Sequence, residues 1–216
     1  MHDQPYQQTR SSLLPWKVWL AVGLLVGTAG TFVLCIHSFL AINRPVPSDI
    51  LIVEGWVPNY VLAAPAREFE QGHYTRVFVS GFQDEPARSR RGEESDAVRA
   101  ARYLAEHGID RSSIASCPAP DTWWNRTSHM ARRVRDQIRA PGIRPTGVNV
   151  ITLGPRARPT LLTYRRMIDP QIPVGVISIP KNDYDPWRWW ASRAGIKKIT
   201  KDFAGWVKEL IFGLRS

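Results

Sequence analysis

The sequence is poor in cysteine, and its histidines do not have the spacing of metal ligands. Its two cysteines, Cys35 and Cys117, are too few for a disulfide framework or for a zinc site by themselves. The five histidines are scattered, and neither an H-E-x-x-H nor a C-x-x-C pattern occurs. We therefore predict no metal site, and the absence of these patterns argues against a zinc-dependent hydrolase.

Glycine patterns that bind nucleotides or present a catalytic serine are also missing. The chain has no G-x-x-x-x-G-K, no G-x-G-x-x-G after its first predicted strand and no G-x-S-x-G. These absences argue against a P-loop enzyme and an ordinary serine hydrolase. The sequence identifies no cofactor.

The charge is strongly positive, and most of the excess lies outside the N-terminal region. The whole chain carries a formal net charge of +10, of which residues 1–42 contribute +1. A basic surface attracts phospholipid head groups, phosphorylated small molecules, anionic wall polymers or nucleic acid, although a solvated basic surface without a dedicated partner explains the excess as well. Charge alone suggests nucleic acid, and export across a membrane would argue against it.

A long uncharged segment lies near the N-terminus. No formal charge occurs between Lys17 and Arg44, a length that exceeds the roughly 20 residues needed to cross a bilayer as a helix. Trp16 and Trp19 stand where interfacial aromatic residues are common, and no clear small-residue cleavage pattern follows. The sequence predicts a short tail at 1–17 and an uncleaved transmembrane helix at 18–42 that binds the protein to the lipid bilayer.

The orientation follows from the basic residues on either side of this segment. Arg10 and Lys17 precede it and Arg44 follows it closely, a bias that favours a cytoplasmic N-terminus. We expect a single-pass membrane protein with an extracytoplasmic domain, and the opposite topology stays open.

Strand-like and helical patterns alternate after the apolar segment. Pro45 and Pro47 indicate an extended linker at 43–48, and the pattern over 49–216 is typical of a Rossmann-like three-layer α/β domain with a mostly parallel sheet. The predicted strands are 50–53, 76–80, 113–117, 148–153 and 174–179. The predicted helices lie near 60–71, 94–107, 127–139, 159–168 and 195–214.

The last predicted helix is amphipathic and has two interpretations. Its apolar residues recur at helical spacing, and lysines occupy much of the remaining surface. It either closes the core of the domain or lies on anionic lipid. We favour the core interpretation, because most amphipathic helices in globular chains pack on their own domain.

Ligands of open parallel sheets bind beyond the carboxyl ends of the strands. There, Glu54 is a candidate acid or base, and Arg126 and Arg156 are candidate anion-binding groups. The other candidate ligand-binding residues are Gly55, Ser80, Gly81, Glu94, Thr127 and Gly154. Structural roles compete with each of these assignments: turn glycines, solvated charges, a Thr127 N-cap, and a Glu94 that opposes a helix dipole.

Tryptophans are clustered in two further segments of the chain. Trp123 and Trp124 form one cluster, and Trp187, Trp189 and Trp190 form the other. Such clusters can pack in a core, cover a site or lie at a lipid interface.

Several segments resemble the domain of unknown function 218 family, which includes YdcF, SanA and ElyC-like envelope proteins. The resemblance covers about 49–179 and is carried by ILIVEGW, VFVSG, GEESDAVRAARYLAEHGI, RTSHMA and VNVITLGPRARPTLLTYRRM. It implies a Rossmann-like domain, often on one N-terminal anchor, with a role in envelope or peptidoglycan maintenance and a nucleotide-like ligand. The chain departs from the family pattern at Arg126 and Met130, where asparagine is common, and at Arg156, where histidine is common.

Together these features predict a membrane-anchored envelope protein. Its strand-end cleft would bind an anionic small molecule or a lipid-linked sugar precursor, and Glu54 would replace the missing histidine as the acid or base. The alternative is a noncatalytic binding or scaffolding module at the membrane surface. The sequence leaves the oligomeric state open.

Overall fold

The computed structural model describes residues 16–83, 94–120, 122, 125–180 and 183–213. The chain divides into two compact units, with the boundary between Cys35 and Ile36. The second unit therefore begins earlier than the domain start predicted at residue 49. The predicted tryptophan pair Trp123 and Trp124 lies outside the described residues.

The first unit is apolar and helical over its described part. Helix α1 spans Trp16–Leu40, and its last five residues belong to the second unit. The hydroxyls of Thr28 and Thr31 donate hydrogen bonds to the carbonyls of Leu24 and Gly27, at 2.8 and 2.9 Å, so the helix satisfies its own polar side chains. By length and composition α1 can cross a membrane.

The second unit contains a five-stranded sheet in which every strand is parallel to its neighbours, in the order β3-β2-β1-β4-β5. This confirms the predicted α/β fold. The strands are β1 Ile50–Glu54, β2 Arg76–Gln83, β3 Ile114–Pro120, β4 Val148–Leu153 and β5 Val174–Ile179. The helices are α2 Asn59–Gln71, α3 Asp96–Glu106, α4 Arg126–Ile138, α5 Ala157–Met167 and α6 Arg193–Gly213.

Alternate residues of each strand face opposite sides of the sheet and meet different helices. On one side, Leu51 and Val53 of β1 share an apolar cluster with Leu62 of α2 and Leu104 of α3. On the other side, Ile50 and Ile52 share a cluster with residues of α4 and α5, including Val134 and Tyr164. Because both faces are covered, the strands read as continuous apolar runs in the sequence.

One side of helix α6 packs on the domain, as the core interpretation predicts, and another side is exposed. Its buried residues include Gly195, Ile199, Asp202 and Glu209, which face the rest of the unit. Other apolar residues of the same helix, Ile196, Leu210 and Ile211, are exposed.

The predicted linker is hydrogen-bonded to the sheet. Arg44 and Val176 of the edge strand β5 exchange two backbone hydrogen bonds, of 2.8 and 3.0 Å. The side chain of Asn149 accepts from the Val46 amide and donates to the Val46 carbonyl, both at 2.9 Å. The segment therefore protects a sheet edge that would otherwise offer unpaired backbone groups.

Candidate functional site

Since the sheet is parallel throughout, all five strands direct their carboxyl ends to the same edge. Gly55, which follows β1, and Gly81, which lies within β2, are tightly packed near this edge. A Cβ added to Gly81 would lie 2.4 Å from the backbone nitrogen of Ala97 in α3, and one added to Gly55 would lie 2.8 Å from the Asp96 carbonyl oxygen. Arg99 of α3 donates to the carbonyl of Gly55 at 2.6 Å. The face covered by α2 and α3 is therefore closed at its carboxyl edge.

Glu54, the last residue of β1, points to the other face and is fully buried. Its Oε2 accepts a hydrogen bond from the Thr152 hydroxyl and lies 3.9 Å from Nε of Arg156. Among the described residues, its Oε1 has no hydrogen-bond partner. Burial raises the pKa of Glu54, and the opposing effects of Arg156 and Thr152 do not cancel it. Burial therefore opposes ionisation of this carboxyl group.

Arg156 lies over Glu54 and is held by several contacts. It ends a short 3₁₀ turn, Gly154–Arg156, that joins β4 to α5. Its Nη2 donates to the Thr127 hydroxyl at 2.7 Å, and its guanidinium lies 5.1 Å from the ring centre of Trp56. These contacts hold the guanidinium at the cavity wall.

A cavity of about 420 Å³ lies next to Arg156. This volume is within the range of small-molecule sites. Parts of β2, the loops after β1 and before α4, and helices α4, α5 and α6 form its walls. Its lining residues are Trp56, Phe82, Asn125, Arg126, Thr127, Ser128, Arg156, Pro159, Thr160, Thr163, Lys201, Asp202, Gly205, Lys208 and Glu209.

The lining carries a net positive charge. Arg126, Arg156, Lys201 and Lys208 contribute four cations, and two carboxylates accompany them. Both carboxylates have cationic partners behind the lining: Asp202 lies 2.5 Å from Nζ of Lys198, and Glu209 lies 2.5 Å from Nη2 of Arg166. Glu209 also lies 3.7 Å from Nζ of the lining residue Lys208. Four cations against two carboxylates still leave the lining with a net positive charge, which favours anions.

The N-terminus of α4 opens into the same cavity. Its first three residues, Arg126, Thr127 and Ser128, are all lining residues. Asn125 precedes them with a left-handed backbone, φ 53°, and its side chain makes no capping hydrogen bond but accepts one from Lys208 at 2.8 Å. Thr127 is thus not the predicted N-cap, because the helix begins one residue before it. Backbone amides at a helix start favour a bound anion.

Arg126 packs on an aromatic ring at the cavity wall. Its guanidinium carbon lies 3.8 Å from the ring centre of Phe82. The face of a guanidinium can stack on a ring while its edge donates hydrogen bonds, which suits bidentate recognition of phosphate or carboxylate.

Ser80 lies deeper than the cavity. It is fully buried, and its hydroxyl lies 3.3 Å from the hydroxyl of Tyr164 and 3.4 Å from the Val53 carbonyl oxygen, to which it donates. Ser80 is not among the lining residues. Its contacts give it a structural role between β1, β2 and α5.

The structure therefore divides the predicted site residues into separate groups. Arg126, Thr127 and Arg156 meet in the cavity, while Glu54 lies behind Arg156 and is not in the lining. The remaining predicted residues, Gly55, Ser80, Gly81, Glu94 and Gly154, are also outside the lining.

Each of the glycines and Glu94 has another contact. The Gly55 amide donates to the Ser80 carbonyl at 2.6 Å, and Gly81 packs against α3. Glu94 pairs with Arg102 on the surface. Gly154 has a φ of 48°, which suits glycine at the turn that leads to Arg156, and its carbonyl accepts from Ser178 at 3.2 Å.

Sequence reasoning missed the contribution of α6. Lys201 and Lys208 are seven residues apart, as are Asp202 and Glu209, so each pair shares one side of the helix. Charged residues repeated at this spacing beside an apolar stripe are the signal that could have identified a polar wall. From the sequence alone, these lysines are only part of the polar remainder of an amphipathic helix.

Within the described residues, no group of three or more His, Cys, Asp or Glu side chains has an arrangement that could hold a metal ion. No protein-family model matches the chain, and no curated protein matches it significantly.

Proposed function

We propose that this chain is a membrane-anchored anion-binding protein whose cavity binds the phosphate or carboxylate group of a small molecule. One observation carries the proposal: two arginines, two lysines and the start of α4 line one cavity of ligand size. Amide donors and guanidinium groups around the same space form the usual environment of a bound oxyanion.

The contacts of Arg156 support a site organised before the ligand arrives. Thr127 and Trp56 restrict its guanidinium, so little side-chain freedom remains to be lost on binding. Burial raises the pKa of the Glu54 carboxyl, which lies 3.9 Å from Nε of Arg156. Glu54 then acts as a positioning residue for Arg156, and not as a group that touches the ligand.

Binding is supported better than catalysis. The predicted acid or base, Glu54, is not in the lining, and the two lining carboxylates, Asp202 and Glu209, are held by Lys198 and Arg166. We therefore propose the noncatalytic alternative in a specific form: a receptor for a phosphorylated or carboxylated ligand.

The wider biological role in this proposal follows the YdcF, SanA and ElyC resemblance. A Rossmann-like domain after a helix long enough to cross a membrane is the organisation that this resemblance implies. We propose that the α/β unit is extracytoplasmic and serves envelope maintenance, because Arg10 and Lys17 precede the apolar segment.

The test measures binding of glycerol phosphate, a water-soluble phosphomonoester, to the full chain in phosphatidylcholine nanodiscs by titration calorimetry. We expect Arg156→Ala to weaken binding roughly 10- to 100-fold, because a charge-assisted hydrogen bond contributes about 1.5–3 kcal/mol. Arg132→Ala removes the same charge from an exposed position of α4 outside the lining and should leave the affinity unchanged.

A second arm distinguishes a soluble ligand from a lipid head group with the same chemistry. Nanodiscs that contain phosphatidic acid should weaken glycerol phosphate binding to the wild type if a lipid phosphate reaches the cavity. If they have no such effect, the ligand is water-soluble. The proposal fails if neither phosphate binds, or if Arg132→Ala weakens binding as much as Arg156→Ala does.

A further inference from the structure

We infer that the exposed apolar side of α6 and the tryptophan-rich turn before it dock on the surface of the lipid bilayer. This surface, the interfacial face, consists of Trp187, Trp190, Ile196, Leu210 and Ile211. It is distinct from the anion cavity and from the apolar part of α1.

The large apolar side chains of the interfacial face are exposed to solvent. Trp187 is 77% exposed, and Ile196 and Ile211 are 46% and 47% exposed. At about 100° per residue, Ile196, Leu210 and Ile211 fall within roughly 100° of each other around α6. The buried Asp202 and Glu209 fall on another side, whereas Ile199 and Phe203, which pack with the end of α1, adjoin the exposed stripe.

The interfacial face is continuous with the residues that follow the apolar part of α1. Ile36 and Leu40, the end of that helix within the second unit, form a buried cluster with Ile199 of α6. Phe39 packs edge-on against Trp206 with ring centres 4.9 Å apart. The first residues of the second unit therefore pack on α6, and in the membrane-anchored protein proposed above these residues directly follow the apolar segment.

The tryptophan-rich turn before α6 packs on the same buried cluster. The turn Pro186–Ala191 contains Trp189, which packs on the same buried cluster, and Trp190, whose ring lies edge-on to that of Trp189 at 5.9 Å. Tryptophan is enriched at the level of lipid head groups, where an apolar ring and an N–H donor are both accommodated.

The charges around the interfacial face fit an anionic lipid surface. Arg188, Arg193 and Lys197 are exposed on the turn and on the first part of α6. An amphipathic helix with basic residues beside a Trp, Ile and Leu stripe binds in the plane of the interface, and its affinity rises with anionic lipid content.

Docking by this face leaves the cavity accessible. Lys201, Gly205 and Lys208, which line the cavity, lie roughly 120–180° around α6 from Ile196. The interfacial side of α6 is therefore separate from its cavity side and borders the side that packs on Ile36 and Leu40.

The test uses the full chain with Cys35→Ser and Cys117→Ala, reconstituted in nanodiscs, and one spin label at a time. Labels are placed through Trp187→Cys, Ile196→Cys and Ile211→Cys, and their relaxation by oxygen is compared with that by a water-soluble nickel chelate. Tyr60→Cys is the matched control, since Tyr60 is an exposed aromatic residue, 66% exposed, on α2 at the opposite sheet face.

We expect the ratio of oxygen to nickel accessibility to be several-fold higher at the three interfacial positions than at residue 60. The ratio should rise further when phosphatidylglycerol replaces part of the phosphatidylcholine. Equal ratios at all four positions would overturn the inference. Strong dipolar coupling between labels of two chains, without raised oxygen access, would overturn it in favour of a second copy. No outcome depends on whether the cavity binds phosphate.

Discussion

The two faces of the sheet differ most at the same carboxyl edge. On the face of α2 and α3, Gly55 and Gly81 permit backbone contact, and the space is filled. On the face of α4, α5 and α6, the paired residues Glu54 and Ser80 stand at the same level of β1 and β2, and a cavity of about 420 Å³ lies beyond them.

This difference shows that the side chain at a strand end sets how closely a helix approaches. Adjacent residues of one strand point to opposite faces, so Glu54 and Gly55 serve different helices although they are neighbours in the chain. A side chain that bridges the strand and a loop, as Glu54 does toward Arg156, keeps the polar face open.

The closed face should respond most strongly to added volume. Gly81→Ala places a methyl group against the backbone of Ala97, which cannot move without α3, so we expect a loss of about 1–3 kcal/mol in the free energy of unfolding. Denaturant unfolding of the full chain in detergent micelles measures it.

Gly205→Ala is the control on the open face. The added methyl group would meet only Pro159, at 3.9 Å, and alanine favours a helix interior by up to about 1 kcal/mol over glycine. A stabilised Gly205→Ala beside a destabilised Gly81→Ala supports the contrast. Equal effects of the two substitutions would break it.

Removing one buried hydroxyl from the polar face should lower the free energy of unfolding by less than Gly81→Ala does. Tyr164→Phe removes the contact with Ser80, which keeps its hydrogen bond to the Val53 carbonyl, so we expect a loss of about 1 kcal/mol. Tyr103→Phe is the counterpart on the other face, where the ring stacks on His107 and is partly exposed. Its effect should stay within about 0.5 kcal/mol. The same unfolding measurement tests both variants. Equal losses would show that the hydroxyl contact between Ser80 and Tyr164 does not distinguish the two faces of the sheet.

We expect the smallest change in the free energy of unfolding from Glu54→Gln at low pH. The glutamine amide resembles the neutral form of the carboxyl group, and burial disfavours the charged form. The folded-state pKa of Glu54 is raised above its ordinary value of about 4.5, so its stabilising effect is complete below that value and is lost as the pH rises through the raised pKa. Glutamine does not titrate. The stability of the variant relative to the wild type should therefore increase with pH.

Thermal unfolding of the two full chains in micelles, from about pH 4 to about pH 8, measures this difference. A relative stability that falls as the pH rises would show that Arg156 and Thr152 outweigh burial. That result would show that the folded-state pKa of Glu54 lies below its ordinary value.

The fold was predictable because its signals are local and repeated. Apolar runs such as 148–153 and their intervening helical patterns correspond closely to β4 and the neighbouring elements. The candidate site was predictable in part, since Arg126 and Arg156 directly follow strand-and-loop segments. The glycines were less informative. Gly55 and Gly81 look like turn or ligand-binding residues in the sequence, but both pack against α3, and Gly81 lies within β2, which extends past the predicted end at residue 80.

By itself, the sequence determined the apolar N-terminal helix, the alternation of strands and helices, and the net positive charge, because each is a property of neighbouring or periodic residues. Only the tertiary structure decided which charges line the cavity. Lys201 and Lys208 meet Arg126 and Arg156 there because α6 packs beside α5, and that packing depends on contacts between distant segments. The same packing leaves the interfacial face uncovered, although its residues have the helical spacing of a core.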